Sequence, residues 1–93
     1  MRAIERSSAF RRDYKRESRG LYRAALDSDL VPVLTALADD RALDAKYRDH
    51  DLGQDWKGYR ECHIRPDLLL IYRKLDKNTL RLARLGSDSE LFG

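Results

Sequence analysis

Five consecutive apolar positions, Leu68-Leu69-Leu70-Ile71-Tyr72, predict a strand buried on both faces, because a strand with one wet face alternates. Turn signals close it at both ends, Pro66-Asp67 before and Asp76-Lys77-Asn78 after. The flanking segments Tyr59–Ile64 and Thr79–Leu85 also read as strands. Connections this short join antiparallel neighbours, so the three form a meander with Leu68–Lys74 in the middle. Upstream, Ala3–Arg6 is a short strand, and Ser7 or Ser8 offers an N-cap for a helix running to about Arg19, where Gly20 stops it. Phe10 and Tyr14 lie one turn apart on its apolar face, while Arg11, Lys15, Arg19 and Arg23 make an i, i+4 row elsewhere on the cylinder. Leu30, Val33, Leu34 and Leu37 have the spacing of a second helix, with Pro32 tolerated in its first turn if Ser28 or Asp29 is the cap. Residues 39–57 show no period and read as a long loop pinned by Tyr47, Leu52 and Trp56. The order strand, helix, helix, three strands gives an α+β fold with the helices on one face of the sheet.

Ninety-three residues make one domain, 1–93, with a single modest core. At 42% hydrophobic and 38% charged, the chain is too apolar for disorder and too charged for a membrane protein. No run is long enough to span a bilayer and the first ten residues lack the apolar centre of a signal peptide, so a soluble cytoplasmic protein with no membrane partner is expected. The net charge of +3 is unevenly spread: between Arg2 and Arg23 eight Arg/Lys face three acids. A basic first helix suits a polyanion or an acidic protein, or water alone.

Both histidines, the only cysteine and the only tryptophan lie downstream of Lys46. Along Tyr59–Ile64, strand alternation sends Tyr59, Glu61 and His63 one way and Arg60, Cys62 and Ile64 the other. The apolar pair belongs to the core, which puts Glu61 and His63 together on an outer polar face. Cys62 and His63 point apart and cannot grip one metal, so no metal site and no cofactor are expected. A metal-free cleavage of RNA fits this inventory: a base takes the 2′-OH proton, cations hold the phosphate, and an acid protonates the departing 5′-oxygen. Histidine suits both proton roles near neutrality, and Lys57, Arg60 and Arg84 are candidate phosphate contacts.

The stretch YRDHDLGQDWKGYRECHIRPDLLLIY and the ending LGSDSELFG resemble the YafQ branch of the RelE/ParE superfamily, the ribosome-dependent mRNA-cleaving toxins of type II toxin–antitoxin modules. The resemblance runs from the first strand to the last residue. It implies a RelE-like microbial-RNase fold, with an N-terminal strand and two helices on a twisted antiparallel sheet. It also implies cleavage of mRNA in the ribosomal A site and a cognate antitoxin, of ribbon-helix-helix, DinJ-like type, through which alone operator DNA is reached. Matched by motif, His50 and His63 correspond to catalytic histidines, Asp67 to a catalytic aspartate, Glu61 to an acidic position and Phe92 to an active-site aromatic. The basic first helix, with Arg12, Lys15, Arg16 and Arg19, is then the expected ribosome contact.

One position departs from the pattern. The family reads Gly, Ser or Thr, then His near the C-terminus, whereas Gly86-Ser87 is followed here by Asp88. An unperturbed aspartate is protonated about one part in a thousand at neutral pH, against about one in four for histidine. Asp88 is thus expected to be a poor general acid, left to orient a histidine or act as a base. This opens three readings: a weak enzyme, a natural variant with redistributed roles, or a chain mutated for expression. A fold that keeps antitoxin binding and regulation without cleavage is the alternative, and a ParE-like gyrase inhibitor a more distant one.

Overall fold

The computed structural model describes residues 1–93. Five strands, Ala3–Arg6 (β1), His50–Asp51 (β2), Arg60–Arg65 (β3), Leu68–Lys74 (β4) and Thr79–Gly86 (β5), form one sheet in the order β1-β5-β4-β3-β2. Helices Ser8–Glu17 (α1) and Leu26–Ala38 (α2) follow β1, and a short helix Asp88–Phe92 (α3) ends the chain. Strands β2 to β5 are antiparallel, as the short connections require. The N-terminal strand differs: β1 runs parallel to β5, from Ala3 opposite Thr79 to Arg6 opposite Leu82, so the sheet is mixed. Hairpin logic does not reach a strand whose partner lies across two helices.

The central strand is buried on both faces, as its composition demands. Leu68, Leu70 and Tyr72 pack with Phe10, Leu26, Leu30, Val33 and Leu37 under the two helices. Leu69 and Ile71 meet Ala83 and Leu91 on the opposite face, with Leu52, Trp56 and Tyr59 around them. The pins expected in the long loop therefore hold, Tyr47 on the first cluster and Leu52 and Trp56 on the second.

Ser7 makes the corner between β1 and α1. Its hydroxyl accepts from the Phe10 N–H at 2.9 Å and donates to the Ala83 carbonyl at 2.7 Å. At the other end α1 stops at Glu17, before Gly20, where the Ser18 N–H meets the Tyr14 carbonyl and its hydroxyl donates to Lys15 O at 2.7 Å. Arg19 and Arg23 fall beyond the helix, so only Arg11 and Lys15 of the expected basic row share it. Helix α2 begins at Leu26 without a side-chain cap, which makes Pro32 its seventh residue rather than a first-turn residue. Pro32 and Ser28 are both exposed, so the turn in which proline leaves the Ser28 carbonyl without a helical donor lies at the surface.

Strand β5 outruns β1, and α1 completes its open edge. Past Leu82 the buried Asp13 accepts from the Leu85 N–H at 3.0 Å and from Arg84 Nε at 2.7 Å, while Arg16 donates to the Leu85 carbonyl at 2.9 Å. Burial pushes the Asp13 carboxyl up, but the bonds from Arg84 and Leu85 and the charges of Arg84 and Arg16 outweigh it and hold it below its ordinary value. Arg16 also pairs with Glu17 and Glu90, joining α1 to α3. Gly86 leaves room for this junction, since a Cβ there would lie 2.7 Å from the Arg16 guanidinium and 3.3 Å from Leu91.

Candidate active site

The site begins in the loop before β2. Arg48 takes a left-handed backbone (φ 52°, ψ 42°) at the end of a single 3-10 turn, Ala45–Tyr47, and reverses the chain toward the sheet. Asp49 then anchors it, accepting from the Tyr72 hydroxyl at 2.5 Å and from Arg60 Nη2 at 3.1 Å. The Asp49 carboxylate holds the Arg60 guanidinium above its ordinary value against the pull of burial. Burial, with Asp49 adding to it, does the same for the Tyr72 hydroxyl. The next residue, His50, enters β2 directly opposite Glu61.

Register completes the constellation. His50, Glu61 and Ile71 form one cross-strand row, and His63 stands opposite Leu69 in the next row on the same face. His63 Nε2 lies 3.3 Å from Glu61 Oε1, and His50 Nε2 lies 3.9 Å from Glu61 Oε2. The two imidazoles are 6.4 Å apart between centroids, one on each oxygen of a single carboxylate. Each ring is oriented from behind by a backbone carbonyl: His50 Nδ1 lies 2.6 Å from Arg48 O, and His63 Nδ1 lies 3.2 Å from Pro66 O. A carbonyl only accepts, so both rings carry a proton on Nδ1 and turn Nε2 to Glu61. The three differ in access, with side chains 50% exposed at His50, 14% at His63 and 8% at Glu61.

Glu61 and His63 share a face, as alternation requires, but that face is not open at Glu61. The acid is 6% exposed, with β2 paired beside it through His50 and Ile71 across from it on β4. His50, expected in a loop, lies on a paired strand. Asp67 is exposed in the β3–β4 turn and accepts from the Tyr22 hydroxyl at 2.6 Å, with no hydrogen bond or ion pair to either histidine. It reaches His63 only through its neighbour Pro66.

Asp88 opens α3 as an exposed first-turn residue and makes no ion pair. The ending that matched the family motif is also a capping box, in which Ser87 Oγ accepts from the Glu90 N–H and the Glu90 carboxylate accepts from the Ser87 N–H. The spacing Ser87-x-x-Glu90 was the available signal for a helix that sequence reading missed. Phe92, 43% exposed, borders a shallow groove with Leu52 and Trp56.

The candidate phosphate contacts separate into two groups. Arg60 is held by Asp49 and Asp51, Arg84 by Asp13, and Arg16 by Asp13, Glu17 and Glu90, so these three guanidinium groups are engaged inside the chain. Lys57, Arg12, Lys15 and Arg19 are exposed and form no ion pair. Lys46, Arg48 and Arg65, none singled out from sequence, line a cleft that reaches His63. Their signal was the charge flanking His50 and following His63. Burial pushes the Cys62 thiol up to about 12, which removes it as a nucleophile, and no group of three His, Cys, Asp or Glu side chains is arranged to hold a metal ion.

The model of a family of bacterial toxins of type II toxin–antitoxin systems, described as YafQ, matches residues 2–93. The chain belongs to the YafQ family. It is 40% identical over 93 residues to the mRNA interferase toxin YafQ of Escherichia coli strain B / BL21-DE3, covering 99% of this chain and 97% of that protein. Its fold is similar to a copper-bound mutant toxin from Helicobacter pylori (TM-score 0.87, 40% identity, 99% of this chain and 100% of the other). It is also similar to a chain of the Escherichia coli DinJ–YafQ complex (TM-score 0.82, 39% identity, 100% of both chains).

Proposed function

We propose that this toxin is an mRNA interferase that cleaves message in the ribosomal A site by attack of a 2′-oxygen on the adjacent phosphate. The observation that carries the reading is the convergence of His50 and His63 on the two oxygens of Glu61. Two imidazoles at one carboxylate give the site two side chains of the kind suited to acid and base roles near neutrality. His63, closer to Glu61 and less exposed, is the ring we assign as the acid. His50 is the open ring and serves as base.

In the reaction His50, turned from Glu61 to the substrate, takes the 2′-OH proton as the 2′-oxygen bonds to phosphorus. The bond to the 5′-oxygen breaks and that oxygen leaves with a proton from His63, turned likewise. The products are a 2′,3′-cyclic phosphate and a 5′-hydroxyl. Glu61 orients both rings, and Asp67 acts at one remove by fixing the turn whose Pro66 carbonyl holds His63. Asp88 supplies no proton, so cleavage is slower than in relatives with histidine there, and Phe92 contacts the substrate from the rim.

The partners are the ribosome with its mRNA, and a cognate antitoxin of the kind named in the DinJ–YafQ complex. The relatives named as mRNA interferases support the reading. Mapping of mRNA ends in a reconstituted translation mixture tests it. Cuts within the A-site codon that require ribosomes and vanish on adding antitoxin are expected, whereas intact message with inhibited gyrase would replace this reading with the gyrase-poison one.

A further inference from the structure

His63 borders a second surface besides the one it shares with Glu61. On the helix side of β3 a cleft of about 460 Å³ opens between the start of α2 and the Ala45–Tyr47 turn, with His63 at its margin. That volume falls within the roughly 300–1,000 Å³ of small-molecule sites. Its walls carry Lys46, Arg48 and Arg65 against the single acid Asp29. Arg65 already pairs with Asp29 at 2.6 Å, which leaves Lys46 and Arg48 without an acidic partner in the chain. Tyr47 lies beside them, packed on the core with the Lys46 ammonium 5.2 Å over its ring.

Two cations without an acidic partner, with a histidine of the site at the edge, form a combination suited to the phosphate of one nucleotide. We infer that this cleft binds the nucleotide next to the scissile phosphate on the substrate strand. The inference deepens the proposed function and rests on it. The left-handed turn at Arg48 gives it a structural basis, because the same residue lines the cleft with its side chain and orients His50 with its carbonyl. Binding at the cleft and orientation of the base are thereby joined in one residue.

The test pairs two measurements on Lys46→Gln/Arg48→Asn, asparagine being chosen because it tolerates the left-handed backbone. Lys77→Gln, in the β4–β5 turn, is the control. In titration of the isolated protein with an uncleavable 2′-O-methyl trinucleotide of mixed sequence, the double variant is expected to bind at least about 10-fold more weakly. Its salt slope should fall by roughly 0.7, the change expected when one phosphate of a single strand is no longer neutralised. In ribosome-dependent cleavage KM should rise in the double variant and also in Lys46→Gln alone, which leaves the Arg48 turn behind His50 intact and kcat with it, while His63→Gln lowers kcat. Equal binding and equal KM for double variant and wild type would overturn the inference while leaving the proposed function standing. So would competition by inorganic phosphate as strong as by the trinucleotide, which would reduce the cleft to an anion patch. A loss seen only with ribosomes would assign the cleft to ribosomal RNA and also overturn it. Absence of cleavage by wild type and control alike, with trinucleotide binding intact, would instead remove the proposed function.

Discussion

His63 Nε2 stands 3.3 Å from Oε1 of Glu61, a carboxylate buried in the sheet and shared with His50 through its other oxygen. A buried charge is retained at a cost, and here both of its oxygens are directed at imidazoles.

Glu61→Gln keeps the size of the side chain and removes its charge. The variant should fold, bind ribosomes as wild type does, and lose kcat by about 10²-fold, the lower end for acid–base catalysis, with KM unchanged. Single-turnover cleavage beside a ribosome-binding titration checks this, and unaltered kcat would leave Glu61 as a packing residue.

Asp13 should matter to stability rather than to cleavage. Asp13→Asn removes the charge and one of the two acceptor oxygens that Arg84, Arg16 and the Leu85 N–H share, and sets an NH2 donor against donors. The expected cost is about 2–3 kcal/mol, less than the ~3–5 of a fully buried pair because both arginines stay partly solvated. Its carboxyl titrates below its ordinary value in the folded chain, so its contribution is complete above the unfolded value and is lost as pH falls through the depressed one. Denaturant titrations from neutral pH downward should therefore show wild type converging on Asp13→Asn in acid, and a constant gap would contradict the linkage.

The basic residues of α1 and of the turn that follows it divide into two jobs. Replacing exposed Arg12, Lys15 and Arg19 with Gln should weaken ribosome binding and reduce its salt slope by roughly 0.7 to 0.9 for each phosphate left unneutralised. Arg16→Gln should lower thermal stability instead, because that side chain ties α1 to β5 and α3. A salt slope unaffected by the triple replacement would assign the helix to the antitoxin or to water.

The aspartate at the start of α3 offers a gain-of-function test. Asp88→His restores a side chain partly protonated at neutral pH and should raise cleavage by up to about 10²-fold, with little change in stability at so exposed a position. Cleavage unchanged or reduced would give Asp88 a role of its own.

Much of the framework was legible from pattern alone. Leu68–Tyr72 declared a two-sided strand, and Leu30, Val33 and Leu37 declared a buried helix face, because burial leaves a periodic mark. β2 and α3, two and five residues long, are too short to carry a period, although the Ser87/Glu90 box announced the helix. Alternation placed Glu61 and His63 on one face, yet the pairing of β2 beside Glu61 is a tertiary event outside its reach. The tethering of Arg84 and Arg16 to Asp13 was equally out of reach, since Arg84 and Asp13 are 71 residues apart in the chain.

The most direct test of the central claim is single-turnover cleavage of mRNA on programmed ribosomes by wild type, His50→Ala, His63→Ala and the double variant. Each single change should lower the rate by roughly 10²–10⁴-fold. The double change should cost little more than either alone, because the rings act as a unit, and ribosome affinity and folding should be retained. Wild-type rates in both single variants would contradict the account.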